Sequence, residues 1–205
     1  MSQTLSALFL LGGSFPEDQH IEDALRPRLP FPSLGFQDLL DRHDGGRYRK
    51  ALKPRLAVLV AALQGRAPGS VLLIGRSSGA ITATLTASLG APAIRGVVAL
   101  GYPFRHPERD EEPARTAHLG GLQVPLLILQ GARDGYGNAA AAARYPLSAA
   151  IRVEELAGVG HRMELPPQRW DRIAARIARF ARQLPATGDQ GVQPASLRRS
   201  GTGGA

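Results

Sequence analysis

The segment with the clearest chemical potential is a glycine–serine–glycine motif near the middle of the chain. Ser77 lies at the centre of Gly-Arg-Ser-Ser-Gly, with the apolar run 71–74 before it and a segment rich in small residues, 78–89, after it. A serine on a sharp strand-to-helix turn needs small residues two positions before and after it, and the next helix directs N–H groups at a developing oxyanion. The motif therefore predicts Ser77 as a nucleophile.

Two other interpretations of the motif remain open. Ser78 could be the nucleophile, but Arg76 would then occupy a position that requires a small residue. Alternatively, both serines could only cap the helix that follows, since a serine oxygen readily accepts a backbone N–H at a helix start. Of the two serines, the spacing favours Ser77 as the nucleophile.

A serine nucleophile needs a histidine base, and the histidine needs a carboxylate that orients it. When the serine lies on such a turn, the acid and then the histidine follow it in the chain. Asp134 comes soon after the apolar run 126–129, and His161 follows the weaker run 151–156. The order and position predict a Ser77–Asp134–His161 triad.

The remaining histidines fit the base role less well. His20 and His43 precede Ser77, and His106 and His118 lie between the third and fourth apolar runs, before Asp134. We interpret these four as ordinary loop or helix residues, of which some could line a pocket.

An oxyanion site needs two donors, and the sequence suggests both. The first is the backbone N–H of Ser78, at the start of the predicted helix. The second is the backbone N–H of Gly13, in Gly12-Gly13-Ser14 after the first apolar run, because glycine lets the backbone approach a ligand. A tight turn into the first helix is the alternative interpretation of these glycines.

The elements that must position these residues are short strands alternating with helices. Apolar runs without polar alternation, at 7–11, 71–74, 97–100, 126–129 and 151–156, are typical of parallel strands buried on both faces. Helices are predicted at 17–25, 54–63, 78–89, 139–143 and 167–184. Pro30 and Pro32 allow the segment 28–35 at most an edge strand. This alternation predicts a three-layer α/β fold with a mostly parallel sheet.

Two of the predicted helices have specific apolar faces. The second should bury Leu56, Leu59, Val60 and Leu63. The last carries a longer stripe, which consists of Trp170, Ile173, Ile177, Phe180 and Leu184.

Composition narrows the remaining options. The chain has 205 residues, of which 43% are hydrophobic and none is cysteine, which excludes disulfides and a cysteine nucleophile. Length and the polar, Gly- and Pro-containing end predict one domain over 1–184 and a disordered tail over 185–205. No leader or membrane-length apolar run is visible, so we expect a cytoplasmic protein. No spacing suits a metal site, so we expect no metal and no cofactor.

The net charge of +8 invites a nucleic-acid or membrane partner. Arg169, Arg172, Arg176 and Arg179 would form one basic stripe on the last helix. No aromatic residue interleaves with them as a base-stacking surface requires, so we interpret the stripe as a solvated helix face and expect neither partner. The oligomeric state stays open.

Together these residues resemble the α/β-hydrolase superfamily, and more closely a group of small dienelactone-hydrolase-like proteins. That group includes testis-expressed hydrolase-like proteins and a scaffold subunit of a histone-acetyltransferase complex. The likeness rests on the Ser77 motif, on Gly-Tyr-Pro-Phe at 101–104 and on the segment 124–134. The chain differs where the group often has His-Gly, here Leu11-Gly12, and where it often has Met after the nucleophile, here Ser78.

A further difference is that the N-terminal strands of a full-size hydrolase are missing, which indicates a minimal hydrolase fold without a large lid. The resemblance implies Ser77 as nucleophile, Asp134 as acid and His161 as base in a metal-independent esterase or thioesterase. The segment 102–122 should supply the pocket walls, with Tyr102 and Phe104 contacting a small or polar substrate. The alternative is a non-catalytic protein-binding module of the same fold.

Overall fold

The core of the molecule is a six-stranded sheet in which every pair of neighbouring strands is parallel. The computed structural model describes residues 4–185. The strand order is β2-β1-β3-β4-β5-β6. The strands are β1 (Ser6–Leu10), β2 (Ser33–Leu34), β3 (Val71–Arg76), β4 (Ile94–Leu100), β5 (Leu126–Gly131) and β6 (Ile151–Leu156).

Within residues 4–185, six α-helices connect and cover the strands. They are α1 (Gln19–Leu25), α2 (Phe36–His43), α3 (Leu52–Leu63), α4 (Ser78–Ser88), α5 (Ala139–Ala142) and α6 (Pro167–Gln183). Short 3₁₀ turns occur at Arg26–Arg28, Pro113–Arg115 and Ala117–Gly121. None of the helices in residues 4–185 has both the length and the apolar character needed to cross a bilayer.

The helices form two layers because alternate residues of each strand point to opposite faces of the sheet. Leu8 and Leu73 face a core shared with α2, α3 and α4. Phe9 and Leu72 face a second core shared with α1 and α6. Strands β1, β3, β4 and β5 are therefore buried on both faces, which is why their sequences are nearly continuous apolar runs.

The predicted three-layer fold with a small parallel core is confirmed. All five predicted strands form, and the proline-containing segment contributes only the two-residue edge strand β2. No strand precedes β1 and no large lid occurs among residues 4–185. Of the predicted tail, residues 186–205 lie outside the part of the chain that the structure describes.

Two helices differ from the prediction. Helix α2 was not predicted; it buries Phe36, Leu39 and Leu40, and Asp38 accepts a hydrogen bond from the Gly35 N–H at its start. Helix α3 turns a different face to the core, because Val60 is 44% exposed and Arg55 is buried. The apolar stripe of α6 is buried as predicted.

Helix α4 begins in close contact with the sheet. A Cβ at Gly75 would lie 2.5 Å from the Ala80 Cα, and a Cβ at Gly79 would collide with the Leu10 carbonyl oxygen. Both obstacles are backbone, so neither can move aside without displacing β1 or α4. The two glycines of the motif are therefore steric requirements of the fold.

Replacing Gly79 with alanine tests this contact. We expect Gly79→Ala to lower the free energy of unfolding by about 2–3 kcal/mol, because the methyl group must push α4 away from β1. Urea denaturation measures the change. Gly121→Ala is the matched control, since nothing lies within 4 Å of its added methyl group. Equal stability of the two variants would contradict the steric argument.

Candidate active site

The candidate site lies at the edge of the sheet where the parallel strands end. The register pairs Leu10 with Gly75, Arg76 with Leu100, and Gly131 with Leu156. The loops after β1, β3, β5 and β6 therefore leave the sheet at one edge. In open α/β sheets this edge is where ligands bind.

Ser77 occupies the turn between β3 and α4 in a rare backbone conformation. Its φ of 51° and ψ of −125° place it in a region that L-residues seldom adopt. The turn is held from both sides: the Ser77 N–H donates to the Leu100 carbonyl, and the Ser77 carbonyl accepts the Ala80 N–H. Strain of this kind persists only where the surrounding structure enforces it.

A chain of hydrogen bonds joins the three residues of the predicted triad. Ser77 Oγ lies 3.1 Å from His161 Nε2, and His161 Nδ1 lies 2.9 Å from both carboxylate oxygens of Asp134. Because an ionised carboxylate only accepts hydrogen bonds, Nδ1 carries the imidazole proton and Nε2 is free to accept from the Ser77 hydroxyl. The geometry matches the nucleophile–base–acid arrangement of serine hydrolases.

The Asp134 carboxylate is fixed by its own loop. It is 5% exposed and accepts hydrogen bonds from the Tyr136 N–H at 2.8 Å and from Gln130 Nε2 at 3.1 Å. Gln130 is fully buried and also donates to the Gly137 carbonyl. These donors hold the carboxylate toward His161.

An aromatic ring packs on the histidine. The rings of Tyr136 and His161 are stacked, with centroids 4.1 Å apart. The ring of His106 packs edge-to-face with Tyr136, with centroids 5.3 Å apart. The stack restricts rotation of the imidazole. Tyr136 was not predicted, although its position two residues after Asp134 would have placed it in this loop.

Arg76 is a buried cation directly below the site. Its side chain is 2% exposed. Its Nη2 atom donates to the His161 carbonyl at 2.5 Å and lies 3.4 Å from Asp18 Oδ1. Burial lowers the pKa of this guanidinium, while the nearby carboxylates of Asp18 and Asp134 raise it. The side chain thus ties the histidine loop to the segment after β1.

The two predicted oxyanion donors differ in their present partners. No acceptor within residues 4–185 takes the Ser78 N–H, as expected for a donor kept for a ligand. The Gly13 N–H instead donates to the Ser78 hydroxyl at 2.8 Å. A side chain at Gly12 would displace this backbone, because its Cβ would lie 2.8 Å from the Arg76 carbonyl oxygen and 3.0 Å from the Ser78 nitrogen.

The prediction that Tyr102 and Phe104 contact substrate is wrong. Their exposed fractions are 0% and 1%, and the Tyr102 hydroxyl donates to the Arg115 carbonyl at 2.5 Å. Both rings pack into the core, where Phe104 also stacks on Tyr145. Their apolar character fits a second packing layer as well as a pocket wall, and the sequence alone does not separate these roles.

A pocket of about 790 Å³ lies beside His161, and its walls come from other loops than the predicted segment 102–122. The segment after β1 contributes residues between 13 and 20, and the histidine loop contributes Arg162 and Glu164. Lys50 and Tyr136 also line it. Charges of both signs therefore face the space next to the histidine.

The remaining histidines lie apart from the triad geometry. His20 lines the pocket and contacts the Glu17 carbonyl, whereas His118 is bonded to Thr84 and burial lowers its pKa. Within residues 4–185 no cluster of three or more His, Cys, Asp or Glu side chains is arranged to hold a metal ion.

A family model described as an alpha/beta hydrolase domain matches residues 40–186. The match includes Ser77, Asp134 and His161. No sequence among the curated proteins matches the chain. The chain belongs to the α/β hydrolase family.

Solved structures agree with this assignment at the level of the fold. A hydrolase described as YdeN-like from Pectobacterium atrosepticum has a TM-score of 0.65 at 21% identity, covering 89% of this chain and 94% of that one. The esterase domain of a Rhodothermus marinus protein gives 0.61 at 17%, covering 90% and 88%. The haloalkane dehalogenase DbeA from Bradyrhizobium elkani gives 0.63 at 16%, covering 88% and 92%. Identities this low show a shared fold, while the family match supports a hydrolase.

The buried ion pair of Arg76 and Asp18 leads to a prediction about the free energy of unfolding. Arg76→Met should lower the free energy of unfolding by about 3 kcal/mol, because the Asp18 carboxylate, 4% exposed, stays buried without its cation. Adding Asp18→Asn should recover part of the loss. Chemical denaturation of the two single variants and the double variant measures the coupling.

The control is the more solvent-accessible pair of Arg28 and Asp171, whose side chains are 29% and 63% exposed and lie 2.7 Å apart. Arg28→Met should cost less than about 1 kcal/mol, since solvent screens exposed ion pairs. A loss in Arg76→Met no larger than in Arg28→Met would contradict a structural role for Arg76.

Proposed function

We propose that this protein is a serine hydrolase that cleaves an ester or thioester of a small polar substrate through an acyl-enzyme. The supporting observation is the hydrogen-bond chain from Ser77 Oγ through His161 to Asp134. Membership of the α/β hydrolase family supports the same reaction class. A protein-binding module would have no use for three such groups in line.

In the proposed reaction, His161 Nε2 removes the Ser77 proton as the hydroxyl oxygen attacks the substrate carbonyl. Negative charge then develops on the carbonyl oxygen, next to the Ser78 N–H at the start of α4, which has no acceptor among residues 4–185. The Asp134 carboxylate stabilises the imidazolium that forms. His161 passes its proton to the leaving group, and the acyl group stays on Ser77.

The second half repeats these steps with water. His161 takes a proton from a water molecule, which attacks the acyl-enzyme, and the carboxylic acid leaves as Ser77 regains its proton. Neither half needs a metal or an organic cofactor. The Tyr136 ring keeps the imidazole in one orientation throughout both halves.

A serine-directed fluorophosphonate probe tests the nucleophile. We expect the wild type to be labelled and Ser77→Ala to lose labelling, because the probe reacts only with a serine whose proton a base can take. Intact-protein mass spectrometry measures the adduct. Ser88→Ala, at an exposed serine on the same helix, is the matched control and should label like the wild type.

Equal labelling of the wild type and Ser77→Ala would overturn the proposed function. It would favour the non-catalytic binding module instead.

The charged pocket walls predict the acyl-chain preference. Glu17, Lys50, Arg162 and Glu164 surround the space beside His161, so a long alkyl chain would gain little apolar burial there. We expect kcat/KM for p-nitrophenyl acetate to exceed that for the octanoate by at least about 10-fold. Steady-state kinetics with both esters measures the ratio, and a preference for octanoate would contradict a polar substrate.

A further inference from the structure

The Ser78 side chain has an unusual set of hydrogen-bond partners. Its hydroxyl oxygen accepts from the Gly13 N–H at 2.8 Å and from Arg55 Nη1 at 3.0 Å. A hydroxyl oxygen has two lone pairs and one proton. These two donors occupy both lone pairs, so the hydroxyl proton points in a third direction. No acceptor within residues 4–185 accepts a hydrogen bond from it.

Arg55 is the less expected partner. It belongs to α3 yet is only 9% exposed, and its Nε atom is buried with no hydrogen-bond partner among residues 4–185. No carboxylate in the described part of the chain forms an ion pair with it. Burial lowers the pKa of this guanidinium, but arginine keeps its proton in proteins. A positive charge is therefore held against the Ser78 hydroxyl and polarises its O–H bond.

The position of this hydroxyl relates it to the chemistry. Ser78 directly follows the proposed nucleophile Ser77, and its N–H is also without an acceptor in the part of the chain that the structure describes. The loop after β1 packs against both serines: a Cβ on Gly12 would lie 3.0 Å from the Ser78 nitrogen and 3.1 Å from the Ser77 Cβ. The free N–H, the free O–H and the nucleophile are thus gathered beside one turn of backbone.

We propose that the Ser78 hydroxyl is the second oxyanion donor of this enzyme, alongside the Ser78 N–H. The Gly13 N–H, which is turned onto the hydroxyl, and the Arg55 guanidinium are positioning groups that leave the hydroxyl proton directed at the developing oxyanion. The Ser78 hydroxyl thus takes the place of the Gly13 N–H as the second oxyanion donor. This inference rests on the proposed hydrolase function.

The test compares two nearly isosteric residues. Ser78→Thr keeps the hydroxyl, whereas Ser78→Val replaces it with a methyl group of similar shape. With p-nitrophenyl acetate, we expect Ser78→Val to lower kcat by about 10²-fold with little change in KM, since an oxyanion donor acts mainly in the transition state. Ser78→Thr should stay within about 5-fold of the wild type. Ser78→Ala gives a second variant without the hydroxyl should valine disturb the start of α4.

Substitutions at Arg55 test its positioning role, and a substitution at a nearby lysine is the control. Arg55→Met should lower kcat by about 10-fold and leave KM nearly unchanged, because a positioning residue works through Ser78. Arg55→Lys should recover part of kcat. Lys53→Met, at an exposed position two residues away on α3, removes a cation without touching Ser78 and should behave like the wild type.

The outcomes separate this inference from the proposed function. If Ser77→Ala is inactive but the valine and threonine variants are equal, or the valine variant is faster than the wild type, the hydroxyl merely fills the site and the inference is wrong. If Ser77→Ala hydrolyses the ester like the wild type, the proposed function and this inference both fall. Loss of kcat in the valine and alanine variants with retention in threonine supports the donor.

Discussion

The site depends on one steric constraint: β3 turns into α4 without room for a side chain at either glycine of the motif. Gly75 meets the backbone of α4, and Gly79 meets the end of β1. Because both obstacles are main chain, the turn cannot relax, and Ser77 is held at a positive φ with its hydroxyl at the sheet edge. The same approach brings the loop after β1 against Ser78. The positions of the proposed nucleophile and of the proposed oxyanion donors follow from these close backbone contacts.

Around that fixed turn, the other two residues are held by loops that secure one another. Asp134 is oriented by groups within its own loop, and Arg76 bonds the backbone of His161 from below. Arg76 itself is anchored by Asp18, which precedes α1. In the sequence, the size of Arg76 argued against Ser78 as the nucleophile. In the structure, Arg76 supports the site. It joins segments that are far apart in the chain.

Most of the fold followed from the sequence, because buried parallel strands and strand-to-helix turns have strong local signatures. The run before Ser77, the runs before Asp134 and His161, and the stripe beginning at Trp170 all lie as predicted. The segment around α2 was harder, since Pro30 and Pro32 obscured a helix that starts only at Phe36. Face assignment on α3 failed because an arginine takes an inward position there, and a periodicity count assigns arginine to solvent.

The site residues also fall into those that the sequence could predict and those that it could not. Ser77, Asp134 and His161 are separated in sequence but share one edge because each follows a parallel strand, which order alone could indicate. The roles of Tyr102 and Phe104 depended on which side of a loop faces the core, and no local pattern encodes that. Arg55 reaches the site from α3, and Tyr136, although it shares a loop with Asp134, stacks on a ring of the separate His161 loop. Such contacts leave no signature in spacing.

The division of the core between α1 and α6 has a consequence for how the chain folds during synthesis. One face of the sheet, with Phe9, Leu72, Val98 and Leu127, is covered by the seven-residue α1 and by α6, the last helix described. Until residues 167–183 leave the ribosome, much of that apolar face has no cover. All six strands and His161 are by then already synthesised. Since exposed apolar surface promotes aggregation, emergence of α6 is the step that releases a nascent chain from this hazard.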